Sequence, residues 1–397
     1  MKKNIGALIL VIIAFVVSCK KPYNPPYIAS ANSYLVVEGV INSGSVQTVI
    51  KVSRTVNLST GVAQNPVMGA ILAVQSDQNA SYPLTETSPG TYTSLGGLNL
   101  DNSHKYRLSI KTSDDKQYLS DLVAVENSPP LDSINFTTDS KGLNLFSNTH
   151  DPNNNTRYYR WKFQETWIFH PAFSSYLKAE GDTIVLRNFV DDNIYTCWRS
   201  DSSSTIILNS SAKLSKDVIS ENPLTSISST SEKLGSKYSI LVTQYALSGG
   251  AYSFWQNLKK NTEQLGSIFD AQPSQIAGNI HSLTNPAEPV IGYISVGATS
   301  SLRIFITNQQ LPNWVTTPEV QNCKLDTFLY AYYPPGSKTA FNQVAEYLYN
   351  SPGHPASDIP VNAISRPGSP PLGYSGSIPE CVDCTLRGTN VQPAFWK

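Results

Sequence analysis

From residue 33 onward the chain breaks into short apolar runs at β spacing, separated by Gly, Asn, Asp, Ser and Pro. Residues 34–41 (YLVVEGVI), 46–53 (VQTVIKVS), 69–74 (GAILAV) and 90–94 (GTYTS) come first. Residues 106–111 (YRLSIK) alternate apolar and polar positions, and 117–125 (QYLSDLVAV) close the set. A period of two turns one side of each strand to a core and the other to solvent, so this pattern predicts a β-sandwich over 33–127. Pro129-Pro130 marks a boundary, because consecutive prolines resist both helix and central strand. A second β module is predicted over 128–335. It opens with strands at 131–137 and 142–146, a DPNNN turn at 151–155 and a long aromatic strand at 157–169 (RYYRWKFQETWIF). Further strands are predicted at 183–189, 193–199, 204–209, 238–247, 290–298 and 302–307.

Two stretches change period. Ser248 is placed to cap a helix running to about residue 265. Ala251, Trp255, Leu258, Thr262 and Leu265 then share one face, and Gly266 ends it. Residues 339–350 (TAFNQVAEYLYN) predict a second helix with Phe341, Val344, Ala345 and Leu348 as its apolar stripe. The segment 336–397 is thus a helix followed by a tail rich in Pro and Gly. The chain is mainly β, with two inserted or appended helices.

The N-terminus has another logic. Lys2 and Lys3 precede an apolar run at 5–17. That run is too short to span about 30 Å of hydrocarbon and fits the core of a signal peptide. It ends in Val16-Val17-Ser18-Cys19, which resembles the bacterial lipobox. Residues 1–18 are therefore read as a lipoprotein signal peptide and Cys19 as the lipidated residue. Each buried CH₂ of an acyl chain contributes about 0.8 kcal/mol, so two or more chains make a stable foot in a membrane. Residues 19–32, with Pro22, Pro25 and Pro26, form a semi-rigid tether. Lys20 and Lys21 stand where surface-exported lipoproteins often carry acidic residues. The periplasmic face and the cell surface both stay open.

Composition narrows the function. Among 397 residues, 29 Lys+Arg balance 29 Asp+Glu, so no basic footprint for nucleic acid exists. Beyond Cys19, the cysteines are Cys197, Cys323, Cys381 and Cys384, the last two in a CxxC. A redox dithiol wants a thioredoxin-like context, and a zinc site wants a second close ligand pair. Neither is present, so structural disulfides are expected, with Cys323 able to staple the tail through one CxxC member. The pairing itself stays open.

The chain holds no HExxH, GxSxG, P-loop or GxGxxG motif. A catalytic role for His170, which precedes Pro171, is set against a strand-end histidine at a turn. The 151–155 turn offers oxygen ligands, but Thr156 and Lys162 stand where a calcium loop has Gly and Glu. An Asx-rich turn is the better reading. No metal and no cofactor are expected. Trp314, in the loop Leu311-Pro312-Asn313-Trp314, is the residue most suited to stack on a ligand. Ser133 and Thr183 sit in Asp-Ser/Thr-apolar triplets that related bacteria O-glycosylate.

The motif order of the first module is similar to prealbumin-like or carboxypeptidase-regulatory-like sandwiches, and the aromatic strand suits a fibronectin-like or immunoglobulin-like sheet. Several segments together carry a wider resemblance. They are YYRWKFQETW (158–167), TCW (196–198), YSILVTQYALSGGAYSFWQNLKK (238–260), FDAQPSQIAGNI (269–280), VIGYISVG (290–297) and CVDCTLRGT followed by PAFW (381–396). With YLVVEGVI they resemble an uncharacterised lipoprotein family of Bacteroidota, known only as a domain of unknown function. The resemblance implies an outer membrane lipoprotein whose partner is a TonB-dependent transporter. The expected function is non-enzymatic: an accessory or substrate-capture partner of that transporter. A surface adhesin or envelope-structural lipoprotein is the second reading. A hydrolase whose residues converge only in the fold is the third.

Overall fold

The computed structural model describes residues 33–56, 65–263, 278–350, 353 and 355–397. The signal peptide, Cys19, the tether, the expected helix end at Leu265 and Gly266, and most of FDAQPSQIAGNI lie outside these residues. Among the described residues no helix is long and apolar enough to cross a membrane.

The protein is mainly β, arranged as sheets packed face to face. The first sheet folds over on itself. Strand Ser81–Ser88 is the corner: Leu84 pairs with Leu72 in one half, and Thr85 with Thr93 in the other. Both halves then bury one shared core. Leu35, Ile50 and Val52 meet Leu72, Val74, Leu108 and Ile110 there. The alternation seen in the sequence is realised directly: Lys105–Lys111 buries Tyr106, Leu108 and Ile110 and turns the residues between them outward.

The last strands of this sheet come from far along the chain. Ile280–Ser282 pairs antiparallel with Gln117–Ser120. Val290–Ile291 and Ser295–Val296 pair parallel with Leu35–Ile41. The expectation of one strand at 290–298 inside the second module is therefore corrected. Gly292 breaks the run in two. It sits at φ +147°, and a Cβ there would come within 2.2 Å of the Val37 carbonyl oxygen. Only glycine allows two backbones to lie that close.

The second module stacks the three strands Leu131–Thr138, Gly142–Asp151 and Asp217–Ser228 on a five-stranded sheet. The latter centres on Tyr158–Phe169, paired with Lys237–Leu247, which in turn pairs with Ser300–Thr307. Tyr159, Trp161, Phe163, Trp167 and Phe169 fill the space between the sheets with Leu143, Leu145, Ile240 and Val242. Strand Asp217–Ser228 was not expected. Pro223 interrupts it, Glu221 has φ +51°, and its partner shifts register twice. Such bulges hide a period of two.

The C-terminal region also departs from expectation. The helix expected at 339–350 is only Gln343–Tyr347, capped by the Asn342 side chain. Val344 and Leu348 are buried, whereas Phe341 is exposed and its backbone pairs with Tyr332. The tail expected as loop contributes strands Ile359–Ile364 and Gly373–Ser377, which join Asp326–Leu329 in a small sheet. Pro360, Gly373 and Gly376 made that path read as loop. Cys323 lies in a coil segment just before this sheet rather than on a strand.

Candidate functional site

The long aromatic strand has two faces. Tyr159, Trp161 and Phe163 point into the core, so Arg160 and Lys162 must point the other way. Tyr245 is the cross-strand partner of Arg160, Thr243 that of Lys162, and Ser301 that of Thr243. The first sheet presents its own outward face opposite. Leu35, Val37, Ile50 and Val52 go to the core, which leaves Val36, Glu38, Val40, Val49 and Lys51 outside. Glu38 and Lys51 are direct cross-strand neighbours. These faces enclose a cleft of about 810 Å³ between the two modules.

Helix Gly249–Glu263 forms its rim. The Ser248 hydroxyl accepts from the Ala251 N–H at 3.2 Å, as an N-cap does. Ala251 and Phe254 are buried, while Trp255 and Leu258 face the cleft. Two contacts clamp the helix to the neighbouring loop. Lys259 Nζ donates to the Ile206 carbonyl at 2.7 Å, and the Glu263 carboxylate accepts from the Ile206 N–H at 2.6 Å.

Arg160 is the unusual group. The residue is only 4% exposed, yet it lines the cleft. The guanidinium lies 3.9 Å from the Trp255 ring centroid and 4.7 Å from that of Tyr245. These are cation–π distances. Its Nε has no hydrogen-bond partner. Burial lowers the Arg160 pKa to about 10, against the pull of Tyr245 and, least, of Glu38. It therefore stays charged at neutral pH. Lys162 is open to the cleft, but the walls dehydrate its ammonium. Burial first, then the charge of Arg160, lowers its pKa, with Lys51 adding to the effect and Glu38 opposing it. Three cations thus face one carboxylate across apolar and aromatic walls.

The residues singled out from sequence are scattered elsewhere. Trp314 is half-buried against the second core and lines a shallow 250 Å³ depression with Leu311 and Pro312. Ser133 is half-buried within a strand and its hydroxyl accepts from Asn148 at 3.0 Å. Thr183 is exposed at a hairpin turn and donates to the Glu180 carbonyl. His170 stacks on Tyr195 and contacts its carbonyl. The Asp151 carboxylate accepts three backbone N–H groups, from Asn153, Asn155 and Thr156, which is the chemistry of an Asx turn.

The cysteines join as Cys197–Cys384 and Cys323–Cys381. Each CxxC member therefore pairs with a distant cysteine, and together they fasten the tail to the body. Arg387 bonded to Glu232, and Trp396 packed on Trp198 and Phe305, hold the same tail. Among the described residues no group of three His, Cys, Asp or Glu is arranged to hold a metal.

Sequence reasoning took Trp255 as helix packing and passed over Arg160 and Lys162. A signal was present: two cations at alternate positions of an otherwise aromatic strand share one face. A family model described as a domain of unknown function, DUF4249, matches residues 20–303, a span that holds the first core, all but Ile306 and Cys384 of the second core's buried members, and every residue lining the cleft. No curated protein matches the chain.

Proposed function

We propose, starting from the fact that the chain belongs to the DUF4249 family, that it is a non-enzymatic lipoprotein of a bacterial outer membrane that captures a ligand for a TonB-dependent transporter. The observation that carries the reading is Arg160. A buried charge without a hydrogen-bonded counterion is costly, because dehydration is not offset inside the protein. A cleft-lining arginine in that condition is placed to be satisfied by something that enters. A spacer or scaffold needs no such group. The lipobox ending at Cys19 supports the anchor, and the roomy cleft with aromatic walls supports capture.

The test is made in the native cell. With an alkyne fatty acid in the medium, the wild-type chain takes up label and sediments with outer membranes. Cys19→Ala takes up none. Affinity purification from solubilised outer membranes then yields a TonB-dependent transporter. An unlabelled wild-type chain removes the anchor. Recovery of surface polymer with no transporter favours the adhesin reading instead.

A further inference from the structure

Taking the cleft as the capture site, we infer that its ligand is a small amphiphilic anion: a carboxylate seated on Arg160, with an apolar body lying along the valine face of the first sheet. Three observations converge on that chemistry.

The first is charge. Arg160, Lys162 and Lys51 line the cleft against Glu38 alone, and Glu38 already has Lys51 as its cross-strand neighbour. Arg160 and Lys162, on the opposite wall, form no ion pair among the described residues, and an anion entering there finds two cations two strand positions apart, on the same face. The second is geometry. Trp255 and Tyr245 pack near the guanidinium and hold it in place. A guanidinium offers its donors in a planar fork that matches a carboxylate, and a fork already fixed loses little freedom on binding. The third is the lining. Val36, Val40, Val49, Phe254 and Leu258 supply apolar surface beside the cations. An inorganic anion would leave that surface wet, whereas a neutral apolar molecule would leave the cations unsatisfied.

Two sources share this chemistry, the free carboxyl end of an apolar peptide and a medium-chain acyl carboxylate. The experiment separates them. Full-length protein in zwitterionic nanodiscs is titrated with acetyl-trileucine and its C-terminal amide, and with octanoate and octanamide. Tryptophan fluorescence and heat are recorded, with empty nanodiscs as the blank. One acid is expected to bind about tenfold or more tightly than its amide, the effect of one charge-assisted contact. The better acid identifies the source. Arg160→Gln and, independently, the exposed Lys162→Gln should each shrink the acid preference, lowering the acid's affinity more than the amide's. Lys162→Gln keeps the test decisive where Arg160→Gln loosens the helix, which a thermal melt reveals. Equal affinity for acid and amide overturns the anion assignment and leaves capture standing. Acid preference unchanged in a folded Lys162→Gln protein overturns it as well. Binding by none of the four probes removes the capture reading with it.

Discussion

The two large cores are built on different principles. The first is aliphatic, with three tyrosines and neither Trp nor Phe among its buried members. The second gathers Trp161, Trp167, Phe163 and Phe169, and threads polar groups between them. The four charged residues buried among the described ones all lie in the second module: Asp151, Glu165 and Asp217, and Arg160 on its outer face. Glu165 holds Lys233 at 2.5 Å and Tyr238 at 2.6 Å. Asp217 accepts from Tyr159 and Ser211, and Gln244 accepts from Trp161 at 2.9 Å. A pattern of apolar positions suffices for the first core. The second needs each polar partner in place, since a half-satisfied buried network is worse than none. Arg160, whose buried Nε has no hydrogen-bond partner, stands on the outer face of the second module, so the region that already tolerates buried charge also carries the proposed binding chemistry.

Several measurements break or sharpen this contrast. The largest effect comes from cutting the chain after Ser128. The first core then loses Ile280, Val290, Ile294 and Val296 and keeps an open edge, so no cooperative melt is expected. A sharp melt from that fragment would make the first core independent. Next, Cys197→Ser with Cys384→Ser should destabilise the second module by about 2–5 kcal/mol in urea unfolding, with little change in the first. Glu165→Ala, which strands Lys233 and Tyr238, should cost about 3 kcal/mol. Thr48→Val in the first core gives up the hydroxyl that accepts from the Asn42 N–H, and should cost only about 1 kcal/mol. Similar costs for these last two would erase the contrast.

The smallest effect is a matter of pH. Glu126, half-buried beside the returning strand, has its pKa raised by burial. Its ionised form is disfavoured in the folded chain, so stability falls as pH rises from the ordinary value of 4.5 through the raised one. Glu126→Gln should therefore be the more stable protein at pH 7. The advantage should vanish near pH 4, which paired urea melts would read. A difference independent of pH would assign it to packing instead.

What could be seen in the sequence follows the same division. Strands such as Lys105–Lys111 were legible because one clean alternation met one core. The helix capped by Ser248 was legible from its polar start and its apolar face, although the buried Phe254 stood outside the face chosen. Asp217–Ser228 was not, because a proline and two bulges scramble its period. The partner of 290–296 was hidden for a different reason: local spacing says that a residue is in a strand, never which strand lies beside it. The site was missed because Arg160 becomes unusual only when a helix some 90 residues later lays Trp255 over it. The cation pair's shared face was readable, but the wall opposite was not.

The seam between Val290 and Leu35 sets an order of events in time. A nascent chain releases strand Leu35–Ile41 and its antiparallel neighbour Gln47–Arg54 together, and the parallel neighbour Val290–Ile291 about 250 residues later. Closing so long a loop adds only a modest entropic toll, since the penalty grows with the logarithm of length. The delay is the larger matter. Until residue 296 has emerged, the earliest-made sheet keeps a bare flank, and the intervening module has time to assemble first. The piece synthesised at the front is thus completed near the end, and refolding kinetics should show Tyr118 and its surroundings maturing after the tryptophan-rich centre.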